Sequence, residues 1–350
     1  MTKAPQHHML REIREQPAVV AGLLDVAPRE SAELIRDLRR RPPVGVVIAA
    51  RGTSDNAAVY GKYLIETTLG LPVSLAAPSI ATLYRRSLHV RHHLVMGLSQ
   101  SGESTDIVEF IESCRRAGAI TLGITNDTGS ALARAADHTL ALHAGRERSV
   151  AATKTYVAQL GLLAILAEAW SGDRALSRRL EHLPRLISRA LQTEGTVRAG
   201  ALRYRYMREC MVTGRGFNYA TAREAALKLE ETCSVVAEAL SAADLQHGPI
   251  AAVERDFPVL LFAFSGRTMA PLRALASRLR RRGAELMIVT NNRSELACAT
   301  VSVYLSFAVD EILSPIPAIV PGQLFAYYLS VARGLNPDRP RGLRKITQTR

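Results

Sequence analysis

An α/β fold built from two parallel sheets is the architecture this sequence predicts, and three observations carry it. Short, nearly continuous apolar runs alternate with longer stretches of helical periodicity. The runs end in turns rich in glycine and hydroxyl groups, each followed at once by a helical pattern. The second half of the chain repeats the plan of the first. Unbroken apolar runs suit strands covered on both faces, as in a doubly wound, flavodoxin-like domain.

In the first half, strands are expected over 44–50, 73–77, 94–98, 120–125 and 139–142, with helices over 54–69, 106–117 and 130–136. In the second half, runs over 210–213, 259–264 and 286–290 lead into Gly214-Arg215-Gly216, Ser265-Gly266 and Asn291-Asn292. The first-half counterparts of these turns are Arg51-Gly52-Thr53-Ser54, the loop starting at Ser99, and Asn126-Asp127. Helical segments over 153–170 and 175–195 separate the halves, and a helical arm covers 9–24. The organisation read from this pattern is an arm (1–28), a first domain (29–170), a helical linker (171–199), a second domain (200–335) and an extended Pro- and Arg-rich tail (336–350).

Composition narrows the class. The 350 residues are 47% hydrophobic, enough for two cores. No apolar run reaches the roughly 18 residues of a membrane span, so no membrane partner is expected. The start, Met-Thr-Lys-Ala-Pro, has no apolar signal region, and a cytoplasmic protein is expected. Cys114, Cys210, Cys233 and Cys298 lie far apart, which argues against a disulfide framework or a zinc site. No histidine spacing suggests a metal, and no cofactor is expected. The net charge of +13 comes mainly from arginines dispersed over helical stretches without interleaved aromatics. That pattern reads as solvated faces attractive to anionic substrates, with no nucleic-acid partner. Lysine is scarce: only Lys3, Lys62, Lys154, Lys228 and Lys345 occur, so each invites a reason.

The segment Ser99-Gln100-Ser101-Gly102-Glu103-Ser104-Thr105-Asp106 is a strand-to-helix loop of hydroxyls, one amide and one glycine, without a cation. Free N–H groups and the positive end of a helix dipole make such a loop an anion site. Its composition suits a phosphate ester held by neutral donors; a serine-rich helix cap without ligand is the plainer alternative. The turn Gly52-Thr53-Ser54 is a second of the same kind, and in a parallel sheet both would open on one cleft. On the helix 223–231, Glu224, Lys228 and Glu231 share one face, either as a surface ion-pair ladder or as a face that moves a proton. His247 precedes a Gly-Pro turn, and Glu147 to Lys154 form another polar turn before a helix.

Together these motifs resemble the tandem sugar-isomerase (SIS) domains that form the isomerase part of glutamine–fructose-6-phosphate aminotransferase. The resemblance runs from the arm at His8-Met9-Leu10 to the tail Pro340-Arg341-Gly342-Leu343-Arg344-Lys345. It implies a sugar-phosphate cradle of Gly52, Thr53, Ser54, Ser99, Gln100, Ser101 and Ser104, with Ser104 where the synthase has threonine. It implies that Glu231 moves a proton between C1 and C2, with Lys228 and Glu224 beside it. His247 would help open the sugar ring, donated by the other subunit of a homodimer. Lys345 would form a Schiff base with the ketose carbonyl. Ala152 and Thr153 fall in a further substrate-contacting stretch, Ala152 where the synthase has serine. The synthase begins with a glutaminase domain, whereas here residue 2 is threonine and the chain starts near the linker arm. The expectation is therefore a deaminase that converts glucosamine 6-phosphate and water to fructose 6-phosphate and ammonia. The alternatives are another phosphosugar isomerase or a ketosamine-phosphate deglycase, a non-catalytic sugar-phosphate sensor, or a synthase half supplied with ammonia.

Overall fold

The computed structural model describes residues 7–345. Helix α1 (His8–Glu30) and helix α2 (Ala32–Arg40) lead into β1 (Gly45–Ala50), α3 (Thr53–Leu69), β2 (Val73–Leu75) and α4 (Ser79–Thr82). Then follow β3 (His93–Leu98), α5 (Thr105–Arg116), β4 (Ile120–Thr125), α6 (Ala131–Ala135), β5 (His138–Ala141) and α7 (Lys154–Ser171). All pairings in this sheet are parallel, in the order β2-β1-β3-β4-β5. Every residue of β1 and β4 is buried, as the unbroken apolar runs required. Val47, Val95, Ile107, Phe110, Ile111 and Leu132 build a core between one sheet face and its helices. Gly97 makes room for that core: a Cβ there would sit 2.8 Å from a Leu132 methyl.

Helices α8 (Arg174–Leu180), α9 (Leu183–Leu191) and α10 (Glu194–Arg203) precede β6 (Glu209–Gly214), α11 (Phe217–Cys233), β7 (Val236–Ser241) and α12 (Ala242–Gln246). The chain continues through β8 (Pro258–Ala263), α13 (Met269–Arg281), β9 (Glu285–Thr290) and β10 (Val301–Tyr304) to α14 (Pro315–Ala332). The second sheet is also all parallel, ordered β7-β6-β8-β9-β10, the topology of the first. The duplication extends to single dihedral angles. Gly52, after β1, has φ 54° and ψ −128°, and Gly216, after β6, has φ 61° and ψ −132°. Both start the long helix that follows, in a conformation that side-chain-bearing residues rarely adopt.

Two compact units emerge among the described residues: one of residues 18–147, 154–181 and 344–345, the other of residues 7–17, 148–153 and 182–343. The division falls inside α1, at Pro17, rather than after the arm read from the sequence. Two further differences have physical reasons. The single helix expected over 175–195 is broken into α8, α9 and the start of α10, because Pro184 opens a new first turn. The sequence reading missed β7 and β10, both edge strands. Covered less than central strands, they show mixed burial in place of an apolar run. No described helix is long and apolar enough to cross a membrane.

The cysteines report this packing. Burial pushes the Cys114 thiol up to about 11 and the Cys210 and Cys233 thiols up to about 12, while Cys298 is partly exposed. Reagents attack thiolates. Native protein at neutral pH should therefore take one iodoacetamide per chain, at Cys298, and four after denaturation. Peptide mass mapping checks the positions, and rapid labelling of Cys210 would contradict the fold.

Candidate functional site

The order β2-β1-β3 places the topological switch point between β1 and β3, and both hydroxyl-rich turns leave the carboxyl ends of these two strands. An ion pair joins them: Arg51 Nε donates to Asp106 Oδ2 at 2.8 Å, and the Asp106 side chain is 2% exposed. Its other oxygen accepts the Ile107 N–H at 2.9 Å, within the first turn of α5. The sequence reading included both residues in the turns without seeing that they pair.

The 99–104 loop is held by its own hydroxyls. Ser99 Oγ accepts the Gly102 N–H at 3.1 Å and lies 3.3 Å from Ser104 Oγ. Ser101 Oγ accepts the Glu103 N–H at 3.3 Å. The Gln100 carbonyl accepts the Asn126 N–H at 3.1 Å, and the Gly102 carbonyl accepts that of Leu132 at 2.9 Å. Ser99 is buried, whereas Gln100, Ser101 and Ser104 are half-buried and within reach of a ligand. In the neighbouring turn Gly52 is exposed and Thr53 half-buried. Ser54 differs from the others: it is buried, and its Oγ accepts from Gln159 Nε2 of α7 at 2.8 Å. Gly102 has φ 67°, and a Cβ there would collide with Ser130 Oγ and lie 2.8 Å from Thr125 Oγ1.

The corresponding loop of the second half is filled by its own chain. Glu311 accepts the N–H groups of Arg267 at 2.7 Å and Thr268 at 3.1 Å, and the Thr268 hydroxyl at 2.6 Å. A carboxylate thus sits where α13 begins. Nothing in the local sequence announces this contact.

Helix α11 carries the charged face. Its buried alanines pack on α14, where a Cβ at Gly322 would come 3.2 Å from that of Ala225. The charged face is buried as well: Glu224 and Lys228 side chains are 0% exposed and that of Glu231 is 23% exposed. Lys228 Nζ lies 2.5 Å from Glu231 Oε2 and 3.4 Å from Glu224 Oε1. The ladder is therefore no surface feature. Withdrawing such charges from water costs several kcal/mol each unless they are paired. Among the described residues Lys228 is the one side-chain partner of Glu231, so its second oxygen is left to solvent or substrate. His247 stands exposed at the end of α12, with no side-chain hydrogen bond or ion pair among the described residues, so the structure does not bring it to Glu231 within the chain.

In the tail, Lys345 Nζ donates to Glu147 Oε2 at 3.0 Å, so the side chain that would normally be solvated is docked. Ala152 is half-buried and Thr153 fully buried just before α7. Among the described residues no cluster of histidine, cysteine and acidic side chains could hold a metal.

Two substitutions test this geometry. Lys228→Met takes the ammonium from buried Glu224 and should cost about 3–5 kcal/mol in urea unfolding; a loss below about 1 kcal/mol would contradict a buried network. Gly102→Ala should cost about 1–3 kcal/mol, because positive φ and the Ser130 contact both oppose a side chain.

Residues 44–169 and 207–333 each match the SIS domain. The chain is 36% identical over 349 residues to glutamine–fructose-6-phosphate aminotransferase of Pyrococcus horikoshii, covering 97% of this chain and 57% of that protein. It therefore spans little more than half the length of such curated relatives. A protein of Silicibacter pomeroyi provisionally named as a phosphosugar isomerase superposes with a TM-score of 0.86 at 35% identity, over 95% of this chain and all of that one. The C-terminal domain of glucosamine-fructose-6-phosphate aminotransferase from Francisella tularensis gives 0.87 at 25% identity, over 97% of this chain and all of that one. With two matching domains and these relatives, the chain belongs to the SIS-domain family.

Proposed function

We propose that the chain is an aldose–ketose isomerase and deaminase acting on a hexosamine 6-phosphate. The observation that carries this reading is the carboxylate of Glu231, held on one oxygen by the buried ammonium of Lys228 and open on the other. A binding module needs an anion loop but no such group. The relatives named for fructose 6-phosphate support the substrate class. The favoured reaction is glucosamine 6-phosphate plus water giving fructose 6-phosphate plus ammonia.

The 52–54 turn and the 99–104 loop hold the phosphate, with Ala152 and Thr153 in a further contact stretch. His247, exposed and without a side-chain partner among the described residues, assists ring opening, donated across a homodimer. Glu231 takes the C2 proton of the open aldehyde and returns it to C1, while one ammonium proton ends on O1. The 2-amino aldose becomes a protonated ketimine, which water hydrolyses to the ketose and ammonium. Lys345 is the amine that condenses with the ketose carbonyl.

A second reading is synthesis from fructose 6-phosphate and ammonia by the same proton shuttle. The aminotransferase relatives, of which this chain spans 57%, favour it.

Purified protein should release ammonia from glucosamine 6-phosphate, and Glu231→Gln should lower the rate by roughly 10²–10⁴-fold. Full activity in that variant would remove Glu231 as the base. Clean ketose–aldose conversion without ammonia would remove the deaminase half, and glucosamine 6-phosphate formed from ammonium salts would establish the second reading.

A further inference from the structure

Glu147 is the less conspicuous partner in the Lys345 contact, and its surroundings suit a specific task. Its side chain is 0% exposed, whereas that of Lys345 is 27% exposed. The carboxylate is fixed from behind by neutral donors in the first turn of α7. Thr155 N–H donates to Oε1 at 3.2 Å, and the Thr155 hydroxyl donates to Oε2 at 2.7 Å. Lys345 approaches the same oxygen, Oε2, from the tail. A rigid buried carboxylate thus holds a lysine that still has one side open to solvent.

We infer that Glu147 is a positioning residue that docks the C-terminal tail through Lys345 and accepts the proton Lys345 must lose to act as a nucleophile. The inference rests on the proposed Schiff-base role of Lys345. The ammonium of Lys345 passes one proton to Glu147, leaving a neutral amine and a neutral acid. The amine nitrogen attacks the carbonyl carbon of the ketose phosphate, and a proton moves from nitrogen to oxygen to give a carbinolamine. Glu147 returns its proton to the carbinolamine hydroxyl, which leaves as water. The products are a protonated imine and the original carboxylate, with no other reactant required. Fixing a four-carbon side chain also removes rotamer freedom before the substrate arrives.

The test is reductive trapping of the full chain with fructose 6-phosphate and borohydride, read by intact mass and peptide mapping. Wild type should carry one adduct at Lys345, and Lys345→Arg none. Glu147→Gln should keep its contacts with Thr155 and its melting temperature, yet trap at least tenfold more slowly near neutral pH. That deficit should shrink between about pH 7 and about pH 10, as the solvent deprotonates the lysine instead. Glu147→Asp, which keeps the carboxylate, should recover part of the rate. Trapping by Glu147→Gln at the wild-type rate, or a deficit that does not change with pH, would overturn the inference while leaving the Schiff base intact. No adduct on wild type would overturn both, while the Glu231 assay would stand on its own.

Discussion

A parallel sheet buried on both faces must return each strand to the same edge through a helix, and this constraint organises the molecule. All strand carboxyl ends of a sheet then lie together, each followed by the start of a helix with unsatisfied N–H groups. Polar chemistry collects there because backbone donors already do. In both halves the turn after the first strand of the sheet needs a glycine at positive φ, and Gly52 and Gly216 meet that need with nearly identical backbones. The Arg51–Asp106 pair fastens two such turns into one surface. Glu147 and Glu311 lie in the loops between the last strand of each sheet and the closing helix, yet they turn onto different partners.

Within the second half, burial sets the electrostatics. Ala225 and Gly322 allow α11 and α14 to approach closely, and on α11 a Glu/Lys/Glu face ordinary for a surface helix is removed from water. Two carboxylates then share one ammonium in a confined volume. The scarcity of lysine acquires meaning in this light. Lys62 spans Glu66 and the Val73 carbonyl at the start of β2, Lys228 serves the buried face, and Lys345 anchors the tail. A compact ammonium with three donors suits each place better than a broad guanidinium.

Sequence revealed what depends on local pattern. Apolar runs located the central strands, the Gly and Ser turns located the strand-to-helix loops, and the spacing of Glu224, Lys228 and Glu231 placed them on one helix face. It could not reveal what depends on tertiary partners. Periodicity could not say that tertiary packing would bury that face, so a surface ladder and a buried network looked alike. Ser54 reads as a ligand hydroxyl, yet Gln159, more than a hundred residues away, already occupies it. Edge strands β7 and β10 escaped because their mixed burial leaves no continuous apolar run. Glu147 stood inside a polar turn that was noticed, but its pairing with the tail needed the fold.

The carboxylate of Glu311 in the second loop has a thermodynamic consequence. Tethered by the chain, it meets the donors of Arg267 and Thr268 at an effective concentration that no buffer alters. The loop of that half is saturated from the moment it folds. The serine loop of the first half closes on neutral hydroxyls instead, and any anion it takes adds stability only in proportion to the logarithm of its concentration. Two copies of one architecture thus close their loops differently, one with a carboxylate more than forty residues further along its chain and the other with the hydroxyls of its own serines.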